Sequence, residues 1–145
     1  MKLKKSLGQN FLKDLDVLST IVDNGEILYN DTILEIGPGS GNLTEEIIKK
    51  NPKKVIVIEK DFNLAGMLEK KFKDKVKVIN DDVLKIDETK LCKDKLTVFG
   101  NLPYNISTEI LSKWIINLKD TFWFDCLVLM FQKEVADRII AKYDT

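Results

Sequence analysis

The sequence predicts an α/β protein with a doubly wound, mostly parallel sheet and helices on both faces. Apolar segments typical of strands alternate with amphipathic segments at spacings of about 20–30 residues, as βαβ units do. A continuous apolar run at 55–58 is typical of a strand covered on both faces. A glycine-rich turn at 37–41 follows the first predicted strand. In such sheets ligands bind beyond the carboxyl ends of the strands, so the turns after the strands are the candidate site.

The elements follow one another in alternation. The predicted strands are short apolar runs at 32–36, 55–58, 76–79, 96–99 and 126–131. The predicted helices carry apolar residues at helical spacing over 14–24, 43–50, 62–72, a stretch after Pro103 and a last stretch around 135–140. An Asn-Gly pair at 24–25 ends the first helix, and Ser107 is the predicted N-cap of the fourth. Leu15, Met67 and Ile115 are among the residues expected to face the core.

Composition limits the possible functions. The 145 residues carry 23 basic and 23 acidic side chains and no histidine, which suggests one domain and argues against His-based catalysis. Cys92 and Cys126 form no CxxC pattern, so we expect reduced thiols, a cytoplasmic protein and no metal site. No apolar run approaches the ~18 residues that a membrane-spanning helix needs. A monomer is expected.

The first 13 residues form a basic arm. Lys2, Lys4, Lys5 and Lys13 lie in it without any acidic residue, whereas acidic side chains outnumber basic ones in the rest of the chain. Such an arm can contact phosphates, or it can be a solvated terminus, and charge alone does not decide between the two.

The first turn after a strand contains Gly37, Gly39 and Gly41. Glycines at alternate positions let the backbone bend sharply and approach a ligand closely. The dinucleotide fingerprint GxGxxG is not matched, because Asn42 stands where its last glycine would be. A tight structural turn is the alternative to a cofactor-binding turn.

Acidic residues follow the second and third predicted strands. Glu59 ends the second strand, where a carboxylate can accept hydrogen bonds from two ribose hydroxyls. Together with the glycine turn it favours a nucleoside ligand, which leaves nicotinamide and S-adenosyl cofactors both open. Asp81 and Asp82 follow the third strand, where a carboxylate can accept from an adenine amine or be an ordinary loop acid.

The fourth turn, at 100–104, is the most informative. Pro103 fixes its own φ and favours an extended Leu102, which can turn the Leu102 carbonyl toward a ligand. Asn101 offers a second acceptor, and Tyr104 offers a flat ring for stacking. Two acceptors and an aromatic ring suit a flipped-out base that carries an amino group. A proline turn with a packed tyrosine is the alternative.

Four motifs occur in order along the chain: KSLGQNFL at 5–12, the first strand and glycine turn at 35–41, GNLPYNIS at 100–107, and QKEVA at 132–136. Together they resemble the KsgA family of ribosomal RNA small-subunit adenine N6,N6-dimethyltransferases. The resemblance implies a Rossmann-like methyltransferase fold that uses S-adenosyl-L-methionine (SAM) and releases S-adenosyl-L-homocysteine. It also implies dimethylation of two adjacent adenines near the 3′ end of 16S rRNA during small-subunit biogenesis.

The resemblance also implies roles for individual residues. Cofactor contacts fall on Asn10, Leu12, Gly37, Gly39, Gly41, Glu59, Asp82, Val83 and Asn101. Catalytic roles fall on Asn101, Leu102, Pro103 and Tyr104. Among these, the Asn101 side-chain oxygen and the Leu102 carbonyl would accept hydrogen bonds from the target amine, and Tyr104 would stack on the base. The RNA contacts of the arm fall on Lys2, Lys4 and Lys5.

The family extends beyond residue 145 into further strands, an aromatic proline-rich segment and a small helical domain. Residues 1–145 are therefore expected to form an incomplete catalytic domain with slow or absent turnover. Three alternatives stay open. The 23S rRNA adenine N6-methyltransferases of the macrolide-resistance type share the fourth motif, but usually have Ile where Leu102 stands. A non-catalytic SAM- or RNA-binding relative is the second, and a nicotinamide oxidoreductase, disfavoured by the missing GxGxxG, is the third.

Overall fold

The computed structural model of the chain describes residues 13–102, 105–118, 122–131 and 133–141, without the side chain of Val135. Its strands are β1 (Thr32–Ile36), β2 (Lys54–Glu59), β3 (Lys77–Asn80), β4 (Leu96–Asn101) and β5 (Phe124–Met130). Its α-helices are α1 (Leu15–Asn24), α2 (Asn42–Ile48), α3 (Phe62–Phe72), α4 (Ser107–Ile116) and α5 (Lys133–Ile140). Short 3₁₀ helices cover Lys73–Lys75, Val83–Lys85 and Glu88–Lys90.

The five strands form one parallel sheet in the order β3-β2-β1-β4-β5. The chain runs outward from β1 through β2 to β3, and then returns to the other side of β1 to form β4. The strand order therefore reverses between β1 and β4, which is where such sheets bind ligands. The predicted α/β fold with a parallel sheet is confirmed.

Both faces of the sheet are covered, because neighbouring residues of the central strands point into different cores. On β1, Ile33 points to one face of the sheet and packs in a core with helices α1, α2 and α3. Leu34 and Ile36 point to the other face and pack in a core with α4. On β2, Val57 and Ile58 divide in the same way. Near-continuous apolar runs are what a strand buried on both faces requires.

Several local predictions need correction. Ser107 is the first residue of α4, and the cap position belongs to Ile106, which makes no side-chain cap hydrogen bond. Leu15, Met67 and Ile115 are exposed, because α1, α3 and α4 each bury a narrower stripe than their apolar pattern suggests. Helix α3 and strand β1 have the predicted bounds. Both cysteines are free thiols.

Candidate cofactor and base-binding site

The turn between β1 and α2 needs glycine for two reasons. Gly37, Gly39 and Gly41 all have positive φ, at 67°, 59° and 87°, a region that side-chain-bearing residues seldom adopt. A Cβ on Gly37 would lie 3.3 Å from the backbone oxygen of Asn101, and one on Gly41 would lie 2.7 Å from the ring of Phe72. The turn is therefore held close to the end of β4 on one side and to the C-terminal end of α3 on the other.

Glu59 joins this turn to the next one. The residue is 4% exposed. One oxygen accepts from the backbone N–H of Gly39 at 3.2 Å, and the other accepts from the backbone N–H of Asp61 at 3.0 Å. Burial raises the pKa of Glu59, while these N–H groups act in the opposite direction. Each oxygen has a second lone pair, so the carboxylate can still accept from a pair of hydroxyl groups.

The segment after β3 is tied to Glu59 through the backbone. The Asn80 side-chain N–H donates to the backbone oxygens of Glu59 and Lys60, at 2.9 and 3.2 Å. Asp82 caps the 3₁₀ helix that begins at Val83, and its carboxylate accepts from the backbone N–H of Leu84 at 3.0 Å. Lys60 lies 3.5 Å from the other Asp82 oxygen.

Asn101 is the last residue of β4, and Leu102 is buried directly after it. Gly100 allows this path, because a Cβ there would lie 2.8 Å from the Leu102 side chain. The remaining predicted site residues lie outside the described residues: Lys2, Lys4, Lys5, Asn10, Leu12, Pro103 and Tyr104.

The structure thus brings together the ends of β1, β2, β3 and β4. Gly37 donates its N–H to the backbone oxygen of Ile58 at 3.0 Å, which adds a second link between the first two turns. Gly37, Gly39, Glu59, Asp82 and Asn101 consequently lie at the carboxyl-terminal ends of the strands. Gly37 and Asn101 flank the point where the strand order reverses. Within the described ranges, no group of acidic or cysteine side chains could hold a metal ion. No helix in the same ranges is long and apolar enough to cross a membrane.

Sequence reasoning missed a buried acid beneath the glycine turn. Glu35, the next-to-last residue of β1, is 1% exposed, and the hydroxyl of Thr44 donates to its carboxyl group at 2.5 Å. Burial raises the pKa of Glu35 to about 8, and the nearby Glu59 adds to the rise. An acidic residue inside the apolar run at 32–36 was the available signal. The bond from Thr44 anchors the start of α2, and hence the glycine turn, to the sheet.

Comparison with known proteins places this geometry in a family. The family model described as ribosomal RNA adenine dimethylase matches residues 1–145. The chain is 62% identical over 144 residues to ribosomal RNA small subunit methyltransferase A of Pelagibacter ubique, a match that covers 99% of this chain and 55% of the relative. The chain spans about half the length of the curated relatives it matches.

Two solved structures are similar as well. A dimethyladenosine transferase from Plasmodium falciparum superimposes with a TM-score of 0.78 and 33% identity, over 92% of this chain and 47% of its own. The 23S rRNA methyltransferase ErmE superimposes with a TM-score of 0.74 and 26% identity, over 88% of this chain and 50% of its own. The fold is therefore the Rossmann-like fold of SAM-dependent methyltransferases, and the chain belongs to the ribosomal RNA adenine dimethylase family.

Proposed function

We propose that this chain binds SAM and carries the adenine-methylating site of a small-subunit rRNA dimethyltransferase. The observation that carries the proposal is the contact between the glycine turn and β4. At Gly37, a Cβ would lie 3.3 Å from the backbone of Asn101, so the cofactor turn and the base-acceptor motif share one wall. A methyl donor and its acceptor must meet within a few ångströms, as they would here.

The residues present fit SAM. The glycines of the first turn have positive φ and no side chain, so a ligand can approach their backbone closely. Glu59 can still accept hydrogen bonds from the ribose hydroxyls. Asp82 and the backbone of Val83 follow β3, where the adenine end of the cofactor would lie beyond the ribose. The missing GxGxxG, together with membership of a methyltransferase family, makes a nicotinamide cofactor the weaker choice.

The chemistry needs orientation more than acid–base catalysis. SAM supplies an activated methyl group on a positively charged sulfur. The Asn101 side-chain oxygen and the Leu102 carbonyl would accept from the two N–H groups of the target adenine, which withdraws the N6 lone pair from the ring and makes it nucleophilic. Holding both reactants in line is worth about 7–11 kcal/mol. After transfer the proton is acidic enough to leave to water, which is compatible with a chain that has no histidine.

The target is proposed to be the pair of adjacent adenines near the 3′ end of 16S rRNA. The 62% identity to a small-subunit methyltransferase, against 26% to the 23S enzyme structure, supports this choice over the large-subunit alternative. Leu102, in place of the isoleucine usual in the 23S enzymes, points the same way. The basic arm with Lys2, Lys4 and Lys5 would contact the RNA backbone beside the site.

Methyl transfer tests the proposal. The chain is incubated with tritiated SAM and, separately, with 30S subunits that lack dimethyladenosine and with 23S rRNA, and the labelled nucleosides are identified. We expect slow labelling of N6-methylated adenosine from 30S subunits, and much less with Asn101→Ala. Label confined to 23S rRNA would support the large-subunit alternative. SAM binding without label on either RNA would mean that residues 1–145 bind the cofactor but do not complete the reaction, as a non-catalytic relative or a catalytically incomplete domain would.

A further inference from the structure

A buried ionic cluster joins α4 to the segment after β3. The ammonium group of Lys113 donates to the Glu88 carboxylate at 2.8 Å, to the backbone oxygen of Val83 at 2.8 Å and to the backbone oxygen of Ile86. The same Glu88 oxygen accepts from the indole N–H of Trp114 at 2.7 Å. The Lys113 and Glu88 side chains are only 19% and 6% exposed.

The cluster uses the full donor capacity of the lysine. An ammonium group has three N–H donors, and each of the three has an oxygen partner here. Buried ion pairs contribute little net stability, because desolvation offsets their attraction. Removing one partner is nevertheless costly, since the other charge is left buried. The main effect of Lys113 is therefore to fix where its partners lie.

Two of those partners belong to one short turn. Val83 begins the 3₁₀ helix, and its backbone oxygen also accepts from the N–H of Ile86 at 3.3 Å. Asp82 caps the same helix, since its backbone oxygen accepts from Lys85 at 2.9 Å and its carboxylate accepts from Leu84. The direction of the Asp82 carboxylate consequently depends on the path of a turn that Lys113 holds from α4.

Lys113 is also connected to the target-base side of the site. It lies on α4, the helix that follows the Asn101 motif, and its neighbour Trp114 is buried in the core that includes Leu102. The lysine thus lies between the segment proposed for the cofactor's adenine and the element that follows the base acceptors.

We propose that Lys113 is a positioning residue that sets the adenine selectivity of the cofactor site. The proposal rests on the proposed function, because it assigns to Asp82 and Val83 the recognition of the cofactor's adenine. Asp82 accepts from the 6-amino group only while the turn keeps its path. Without Lys113 the turn loses the two hydrogen bonds to its backbone oxygens, and the site no longer distinguishes a 6-amino from a 6-oxo purine.

The test compares two ligands by calorimetry: S-adenosylhomocysteine and S-inosylhomocysteine, which has an oxygen in place of the 6-amino group. We expect the wild-type chain to prefer the adenine ligand by about tenfold or more, as for a lost hydrogen bond in a largely buried site. In Lys113→Met the preference should fall to within about threefold. The preference is the informative readout, because a general loss of stability weakens both ligands alike.

Lys113→Met leaves the Glu88 carboxylate buried without its cation, so a second variant guards against misfolding. Lys113→Met with Glu88→Gln removes both charges, and the glutamine oxygen can still accept from Trp114. Glu88→Gln alone keeps Lys113 on its two carbonyls and should keep the preference. Lys53→Met is the matched control, because it removes a lysine from an exposed ion pair with Asp94.

The outcomes separate the two proposals. If the wild-type chain does not bind S-adenosylhomocysteine, the proposed function is wrong, and so is the positioning role of Lys113. If the wild-type chain prefers adenine and the folded double variant keeps that preference, the positioning role is wrong while the proposed function stands. An equal weakening of both ligands in the double variant would also overturn it, since that result reports only a structural role.

Discussion

The buried acid of β1 makes the stability of this chain depend on pH in a predictable direction. Burial raises the pKa of Glu35 from 4.5 to about 8. The folded state therefore keeps the Glu35 proton where the unfolded state releases it. The resulting contribution to stability is complete below pH 4.5 and is lost progressively as the pH rises to about 8. Each pH unit in this window is worth about 1.4 kcal/mol, so the full loss is on the order of 4–5 kcal/mol.

Glu35→Gln should remove this dependence, because the amide is neutral at every pH and its oxygen can still accept from Thr44. Urea unfolding at pH 5.5 and pH 8, followed by the fluorescence of Trp114 and Trp123, measures it. We expect the unfolding free energy of the wild type to fall by about 3 kcal/mol more than that of Glu35→Gln across this interval. The added amide N–H donors lower the stability of the variant at both pH values alike, so only the difference between the slopes counts.

Glu69→Gln is the matched control, since Glu69 is an exposed carboxylate of α3, and it should keep the wild-type slope. Glu59 is present in all three proteins, so its own titration largely cancels. Equal slopes for the wild type and Glu35→Gln would refute the reasoning, because they would mean that the folded chain releases the Glu35 proton at the same pH as the unfolded chain.

Five other changes test the site and the packing. Asn101→Ala should lose most methyl transfer while keeping much of the SAM affinity; equal losses of rate and affinity would contradict the separation of roles. Glu59→Ala should weaken SAM binding in calorimetry by about tenfold or more. The change removes the acceptor for the ribose hydroxyls and the carboxylate that accepts the hydrogen bond from the Gly39 N–H. Tyr104→Ala should raise the RNA concentration needed for methylation, and a normal rate at low RNA would exclude stacking. Gly25→Ala should lower the unfolding free energy by about 1–3 kcal/mol, because its Cβ would lie 2.3 Å from Phe99. Gly66→Ala, with open space and a helical position in α3, should instead raise it by roughly 0.5–1 kcal/mol.

The parts of the fold that could be predicted are those encoded in local patterns. Strand β1 and helix α3 have the predicted bounds, because an apolar run and a helical stripe are visible within a few residues of sequence. The need for glycine in the first turn was also visible, and the positive φ values of Gly37 and Gly41 agree with it. The predicted cap at Ser107 was wrong, since the path of the chain before α4 places Ile106 at the cap position.

The interactions that could not be predicted are those between distant segments. Glu35 meets Thr44 across the β1–α2 turn, and its protonation follows from burial, which a sequence pattern does not measure. Lys113 meets Glu88 and Val83 over separations of 25 and 30 residues, and no local pattern in the sequence predicts these contacts. The sequence indicated which turns to examine, whereas the polar links between those turns became visible only in three dimensions.

Calorimetric titration of the chain with SAM, and separately with NAD, tests the central claim most directly. The four linked turns at the carboxyl ends of β1, β2, β3 and β4 predict one SAM molecule bound per chain, with no measurable binding of NAD. Absence of SAM binding by the folded chain, or binding of NAD in preference to SAM, would contradict the assignment of this edge of the sheet as a methyl-donor site.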